Sequence, residues 1–189
     1  MFVSQVFPLG SLGGVVNIMQ ANNLTEISAD IATILVDKEQ TICVAESSSG
    51  GLISASLLAV PGASAFFLGG GVIYTRAARK AFLPSEDKSL SGIRSASEPY
   101  AAWLAETMCL RLKATWGLSE TGAAGPSGNS YGDNPGHSCL AVCGPMKRVL
   151  TIENESSERE ANMWAFAEAG LVLLRDTLRR SGKTTSDNQ

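Results

Sequence analysis

Residues 41–51 read TICVAESSSGG, and this stretch decides the architecture. Thr41 to Ala45 is a short apolar run that reads as a buried strand. It passes directly into Glu46-Ser47-Ser48-Ser49-Gly50-Gly51, and a helix follows from Leu52 to Ala59 before Pro61-Gly62 breaks the chain. A strand that turns into a helix through hydroxyls and glycines is a unit of layered α/β domains.

The same alternation extends in both directions. Upstream, Leu24, Ile27, Ile31, Ile34 and Leu35 fall at helical spacing and predict an amphipathic helix ending near Lys38. Downstream, Gly70–Thr75 reads as a strand and Arg76–Phe82 as a basic helix. Ser97-Glu98-Pro99 combines a capping serine, an acid in the first turn and an early proline, so a helix starts there and runs to about Trp116. Leu118–Thr121 predicts a strand entering a glycine loop, Ser138–Cys143 and Arg148–Ile152 a pair of hairpin strands, and Glu158–Arg180 a final helix. The expectation is one three-layer α/β/α domain with a mixed sheet over residues 22–180. Residues 1–21 are apolar and Gly-rich and are expected to form a loosely ordered arm; the polar residues 181–189 are expected to be a disordered tail. The arm has no Lys or Arg, unlike a signal or transit peptide, and Pro8 with its scattered glycines argues against a membrane span.

A chain of 189 residues, 44% hydrophobic and 17% charged, suits one packed domain. A net charge of -3 supplies no global basic field, so no nucleic-acid partner is expected, although a small anion needs only a local site. The cysteines (Cys43, Cys109, Cys139, Cys143) form no Cys-x-x-Cys pair, and His137 is the only histidine. A zinc site needs about four such ligands at tight spacing, so no metal is expected. Reduced thiols filling a core point to a reducing compartment and a cytoplasmic location.

Two segments sit where open α/β sheets bind ligands, beyond the carboxyl ends of strands. The first is Glu46–Gly51, whose backbone N–H groups at a helix start suit a phosphate or an oxyanion, or merely cap the helix. The second is Thr121–Gly128 (TGAAGPSG), where glycines allow close backbone approach to a ligand or simply form a wide turn. It matches neither the P-loop nor the dinucleotide-binding glycine fingerprint.

Five motifs in order, AESSSGG (Ala45–Gly51), VPGAS with FLGG (Val60–Gly70), YTRAAR (Tyr74–Arg79), Ser97-Glu98-Pro99 and TGAAGP (Thr121–Pro126), resemble the CinA carboxy-terminal domain family in its stand-alone form. The resemblance covers about residues 22–178. It implies a serine amidohydrolase that converts nicotinamide mononucleotide to nicotinate mononucleotide and ammonia, in pyridine-nucleotide salvage. No metal or organic cofactor is implied, and self-association is. Met163, Trp164, Phe166, Leu171, Val172 and Leu174 of the last helix, apolar on more than one face, agree with a homo-oligomer. By alignment Ser47 is the nucleophile and Ser49, replacing a family threonine, a hydroxyl ligand or donor. Tyr74 and Thr121 assist proton transfer or hold the substrate, and the amides of Gly50 and Gly51 form an oxyanion hole or phosphate cradle. Glu46, Gly122, Gly125 and Arg159 complete the expected substrate contacts, Arg159 as a phosphate ligand or a surface ion pair.

A lone histidine makes a Ser–Lys pair the more natural catalytic arrangement than a Ser–His–Asp one. The family's lysine, however, aligns with Arg79, whose guanidinium stays protonated and cannot act as a base, though it binds phosphate well. Lys80 is the neighbouring candidate, but a helix turns it about 100° away from Arg79. The family's second arginine in the last helix becomes Met163, and a family lysine before the hairpin is lost in Asp133–His137. These departures leave a second reading open, a catalytically silent nucleotide-binding or regulatory homologue.

Overall fold

The structure, a computed structural model, describes residues 13–83 and 90–183. Helix α1 (Gly13–Asp37) leads into β1 (Ile42–Glu46), α2 (Leu52–Leu58), β2 (Phe67–Val72) and α3 (Arg76–Phe82). Then come α4 (Glu98–Leu112), β3 (Trp116–Ala123), β4 (His137–Cys143), β5 (Arg148–Glu153) and α5 (Arg159–Lys183). The five-stranded sheet has the order β2-β1-β3-β4-β5. β2, β1 and β3 are parallel, while β4 and β5 continue antiparallel, so the sheet is mixed as expected.

Side-chain alternation along the strands sorts the helices into two outer layers. Ile42, Val44, Leu118, Leu140 and Val142 point to one face and pack with buried residues of α1, α2 and α5. Cys43 and Ala45 point to the other, against Tyr100, Trp103, Leu104 and Met108 of α4. Cys139, Ala141 and Cys143 extend that face onto Ala101 and Ala105, small residues that let α4 lie close to the sheet. The thiols are free and serve as core filling; burial pushes those of Cys43 and Cys143 up to about 12.

Several boundaries depart from the sequence expectation. β2 lies earlier than Gly70–Thr75, because its glycines pair with Cys43–Ala45 of β1; that pairing overrides the poor strand propensity of glycine. The Thr75 hydroxyl is then free to cap α3, accepting the Ala78 N–H at 3.0 Å. α4 stops at Leu112 because Lys113 turns left-handed (φ 53°), and Trp116 is fully buried at the start of β3. α1 begins at Gly13, within the expected arm, and α5 runs on to Lys183; residues 1–12 and 184–189 lie outside the described residues.

The apolar residues of α5 have intramolecular partners. Phe166, Leu171 and Leu174 are fully buried, and Trp164 and Val172 pack against the cluster containing Leu24, Ile27 and Ile31 of α1. Much of the additional apolar face of α5 therefore packs within the chain, while Met163 lies outside that cluster. Among the described residues, no helix is long and apolar enough to cross a membrane.

Candidate active site at the carboxyl ends of the parallel strands

The serine loop is built on two fully buried carboxylates. Glu46, the last residue of β1, accepts the N–H groups of Gly51 (3.0 Å), Ile53 (3.0 Å) and Ser54 (2.8 Å), and the hydroxyls of Ser49 (2.9 Å) and Ser54 (2.6 Å). It thus caps the α2 amino terminus from within the preceding strand. Glu120 of β3 accepts the N–H groups of Ser47 (3.0 Å) and Ser49 (2.8 Å) and the hydroxyls of Ser48, Ser49 and Ser138.

These bonds change the expected division of labour. Glu46 was expected among the substrate contacts, but its oxygens are engaged by the protein's own donors. The Gly51 N–H belongs to Glu46 and the Gly50 N–H to the Ser47 carbonyl (3.2 Å), so both amides expected to cradle an anion already have acceptors. Ser48 and Ser49 are buried and tied to carboxylates, whereas Ser47 is half-buried and lines an open cleft.

That cleft, of about 210 Å³, lies where β1, β2 and β3 end. Ser47 follows β1, Tyr74 and Thr75 follow β2, Thr121 and Gly122 come from β3, and Arg76 and Arg79 project from the first turns of α3. Four of the six catalytic candidates, Ser47, Tyr74, Arg79 and Thr121, therefore share one cavity. Ser49 lies beneath it, and Lys80 is exposed and is not among the residues lining it. Among the described residues, the charged side chains lining the cleft are both guanidinium groups, with no Asp or Glu in the lining. Such a cavity favours an anionic ligand.

A second recess of about 230 Å³ adjoins the first through Tyr74, Gly122 and Asn129. Its walls are the second glycine loop and Arg159. Arg159 donates to the Gly125 carbonyl (2.7 Å) and to the Tyr74 hydroxyl (3.1 Å), so it joins the start of α5 to the second glycine loop and to the segment after β2. The two predicted glycines have packing reasons as well as a place in this lining. A Cβ on Gly122 would stand 2.3 Å from the His137 carbonyl oxygen across the β3–β4 pair. Gly125 has φ +107°, a region that L side chains rarely adopt, and a Cβ there would stand 2.8 Å from the Ser157 carbonyl oxygen.

His137 serves the cleft wall from behind. Its ring is buried, with Nδ1 2.5 Å from Glu153 Oε1 and Nε2 3.1 Å from the Ala96 carbonyl. Burial works against the charged ring, but the Glu153 carboxylate and the Ala96 carbonyl outweigh it and raise its pKa. Ala96 itself is left-handed (φ 53°) and donates its N–H to Thr121 Oγ1 at 3.2 Å. Beside it, Arg94 pairs with both oxygens of Asp133, a contact that holds the Asp133 carboxyl below the usual carboxylate range.

Sequence reasoning missed Arg76, Ser95, Ala96, Tyr100, Asn129 and Tyr131 as lining residues. One signal was available, since Arg76 and Arg79 are three residues apart in a helix and so share a face. Tyr131 belongs to the long loop before β4 and carries no periodic signature. Among the described residues, no group of three or more His, Cys, Asp or Glu is placed to hold a metal ion.

Comparison with known proteins agrees with the fold and shows the family. The family model described as the CinA C-terminal domain matches residues 24–178. A CinA-like protein of Synechococcus sp. (strain CC9902) is 36% identical over 153 residues, covering 81% of this chain and 36% of that protein. A putative competence-damage inducible protein of Clostridioides difficile (strain 630) is 40% identical over 106 residues, covering 56% of this chain and 25% of that protein. The chain therefore spans about a third or less of the length of these curated relatives. Among solved structures, a competence-damaged protein (CinA) superfamily protein of Klebsiella pneumoniae superposes with a TM-score of 0.76 at 21% identity, covering 83% of this chain and 98% of that one. The competence/damage inducible protein CihA of Agrobacterium tumefaciens gives 0.75 at 24% identity, covering 92% and 99%. These two likenesses concern the fold.

Proposed function

Because the chain belongs to the CinA C-terminal domain family, we propose that it hydrolyses the amide of a small pyridine nucleotide, nicotinamide mononucleotide being the first candidate, with Ser47 as nucleophile. The observation that carries this reading is the shared cleft: Ser47, Thr121 and three tyrosines line one cavity whose charged side chains are Arg76 and Arg79. A phosphate suits the two guanidinium groups, and a cationic pyridinium ring suits tyrosine faces. The carboxamide is then left for the Ser47 hydroxyl. The serine loop supplies the nucleophile, so the reaction needs no organic cofactor. Such an activity fits pyridine-nucleotide salvage in the cytoplasm.

A second reading, a nucleotide-binding homologue without turnover, is favoured by one specific observation. The family's lysine is Arg79 here, and Lys80 stands outside the cleft. Ammonia release from nicotinamide mononucleotide by the wild-type chain and by Ser47→Ala, with calorimetric binding measured alongside, separates the two. Turnover lost in Ser47→Ala supports the hydrolase. Binding without turnover in the wild type supports the silent homologue, and neither binding nor turnover removes the nucleotide from both readings.

A further inference from the structure

A serine nucleophile needs a proton acceptor. Among the described residues, its lining contains no Lys, His, Asp or Glu. The two carboxylates that hold the serine loop, Glu46 and Glu120, are buried beneath it and take their hydrogen bonds from other serines and from amides. His137 has both ring nitrogens on Glu153 and Ala96, behind the wall. What the cleft does hold is phenols. Tyr100 is buried against Trp103, and the Tyr74 hydroxyl is bonded to Arg159, a residue of the adjoining recess rather than of this cleft. Tyr131 is 40% exposed at the cleft and stands among cations: Arg76 and Arg79 from α3 line the same cavity, and the Arg94 guanidinium lies 5.7 Å from its ring centroid.

We infer that Tyr131 takes the proton of the Ser47 hydroxyl in the hydrolysis proposed above, filling the place from which a lysine is missing. The inference rests on Ser47 being the nucleophile. In the first step the Ser47 oxygen bonds to the amide carbonyl carbon while its proton passes to the Tyr131 phenolate oxygen. As the C–N bond breaks, that proton goes to the departing nitrogen, giving ammonia and an acyl-Ser47 ester. Water then attacks the ester, gives a proton to Tyr131, and releases the carboxylic acid as Ser47 recovers its hydrogen.

The surroundings suit a phenol that ionises readily. Ser95 and Arg76 beside the hydroxyl, together with the charges of Arg76 and Arg79, hold Tyr131 below the ordinary value of 10.0 despite some burial. Among the described residues, the other charged and titratable groups around it are Arg94, whose charge is paired with Asp133 on the Tyr131 loop, and the phenols Tyr74 and Tyr100. The loop is itself held, since Asn129 Oδ1 accepts the Tyr131 N–H at 3.0 Å and the Asp133 N–H at 3.2 Å. Tyr131 is thus presented on a tied turn rather than on a free tip.

The test reads Ser47 directly and does not require the substrate to be known. The full chain is treated with a fluorophosphonate, labelling is followed by intact mass and assigned by peptide mapping, and rates are taken across pH. The wild type is expected to label at Ser47, with a rate that rises with pH and levels off as Tyr131 ionises. Tyr131→Phe keeps the ring over Arg94 and is expected to label about 100-fold more slowly, with the inflection gone. Arg76→Gln keeps the phenol but removes one cation, so its inflection moves to higher pH, a shift that a merely structural tyrosine would not produce. Tyr131→Phe labelling at the wild-type rate and with the wild-type pH profile overturns the inference and leaves Ser47 as nucleophile. No labelling of Ser47 in the wild type at any pH overturns both. Should Tyr131→Phe not fold, the presence or absence of the Arg76→Gln shift decides.

Discussion

Glu46 and Glu120, on adjacent parallel strands, meet across one hydroxyl: Ser49 Oγ lies 2.9 Å from an oxygen of each. A hydroxyl carries one proton and can satisfy only one of the two at a time. The remaining stabilisation comes from amide N–H groups and from Ser48, Ser54 and Ser138. The shape of the serine loop is therefore set by carboxylates below it. Glu120→Gln exchanges an acceptor for an NH₂ that meets donors, and Ser47 and Ser49 N–H groups lose part of their charge-assisted bonding. The expected cost is about 3 kcal/mol of folding stability. Urea unfolding checks it, and a loss under about 1 kcal/mol would show that the loop does not depend on Glu120.

The β3–β4 pair brings the Ser138 hydroxyl to Glu120 and requires Gly122 to be bare. A methyl group at position 122 would stand 2.3 Å from the His137 carbonyl oxygen, which belongs to backbone and cannot swing aside. Gly122→Ala is expected to destabilise the chain by about 1–3 kcal/mol, as overpacking does, and to slow Ser47 labelling because Gly122 lines the same cleft. Thermal unfolding and labelling rates measure the two effects separately. An unchanged melting temperature would mean that the strands separate without cost.

Two titrating groups brace the cleft wall from opposite ends of the pH scale. His137 is raised above its ordinary 6.5 by Glu153 and Ala96 against the opposing effect of burial. Its stabilisation is complete below pH 6.5 and is lost as pH climbs through the folded-state value. Asp133 is lowered beneath 3.8 by Arg94 despite some burial, so its contribution is complete above 3.8 and is lost as pH falls through the folded-state value. The stability gap between wild type and His137→Gln should accordingly be widest on the acid side of neutrality and narrow as pH rises. Denaturant unfolding at pH values on either side of neutrality reads it, and a gap that widens with pH would contradict the assignment.

Much of this fold was legible because hydrophobic periodicity and turn chemistry agreed. The Ser97 cap with Glu98 and Pro99 marked the start of α4 within a residue, and TICVA marked the buried strand β1. Less legible were features decided by partners distant in sequence. Gly69–Gly71 form a strand because β1 pairs with them, and α5 is apolar on an added face because α1 covers it. The site divides in the same way. Ser47, Tyr74, Arg79 and Thr121 follow strand ends and helix starts, which local patterns locate. Glu120 and Tyr131 matter through what surrounds them in space, and no sequence spacing announces a buried carboxylate under a serine loop or a phenol among guanidinium groups.

Self-association is implied by the family resemblance, and much of the apolar surface of α5 is already packed against the chain's own core. β2 is a sheet edge that exposes Leu68 and Val72. Light scattering at micromolar concentration compares the mass in solution with 19.8 kDa for one chain. A multiple of that mass, reduced by Leu68→Lys, is the expected outcome if this edge is the contact. A single-chain mass would end the homo-oligomer proposal.

The cations of the cleft make unequal predictions. Arg76 and Arg79 line it and Lys80 does not. Arg79→Ala is expected to weaken nicotinamide mononucleotide binding about tenfold or more, the loss of one charge-assisted contact to phosphate. Lys80→Ala, at an exposed position on another face of α3, is expected to leave affinity unchanged. Added salt should weaken wild-type binding and matter less in Arg79→Ala, because screening acts on the charge that has been removed. Calorimetry of the three proteins at two salt concentrations decides. Equal affinity in wild type and Arg79→Ala, with a loss in Lys80→Ala, would mean that the ligand lies outside this cleft.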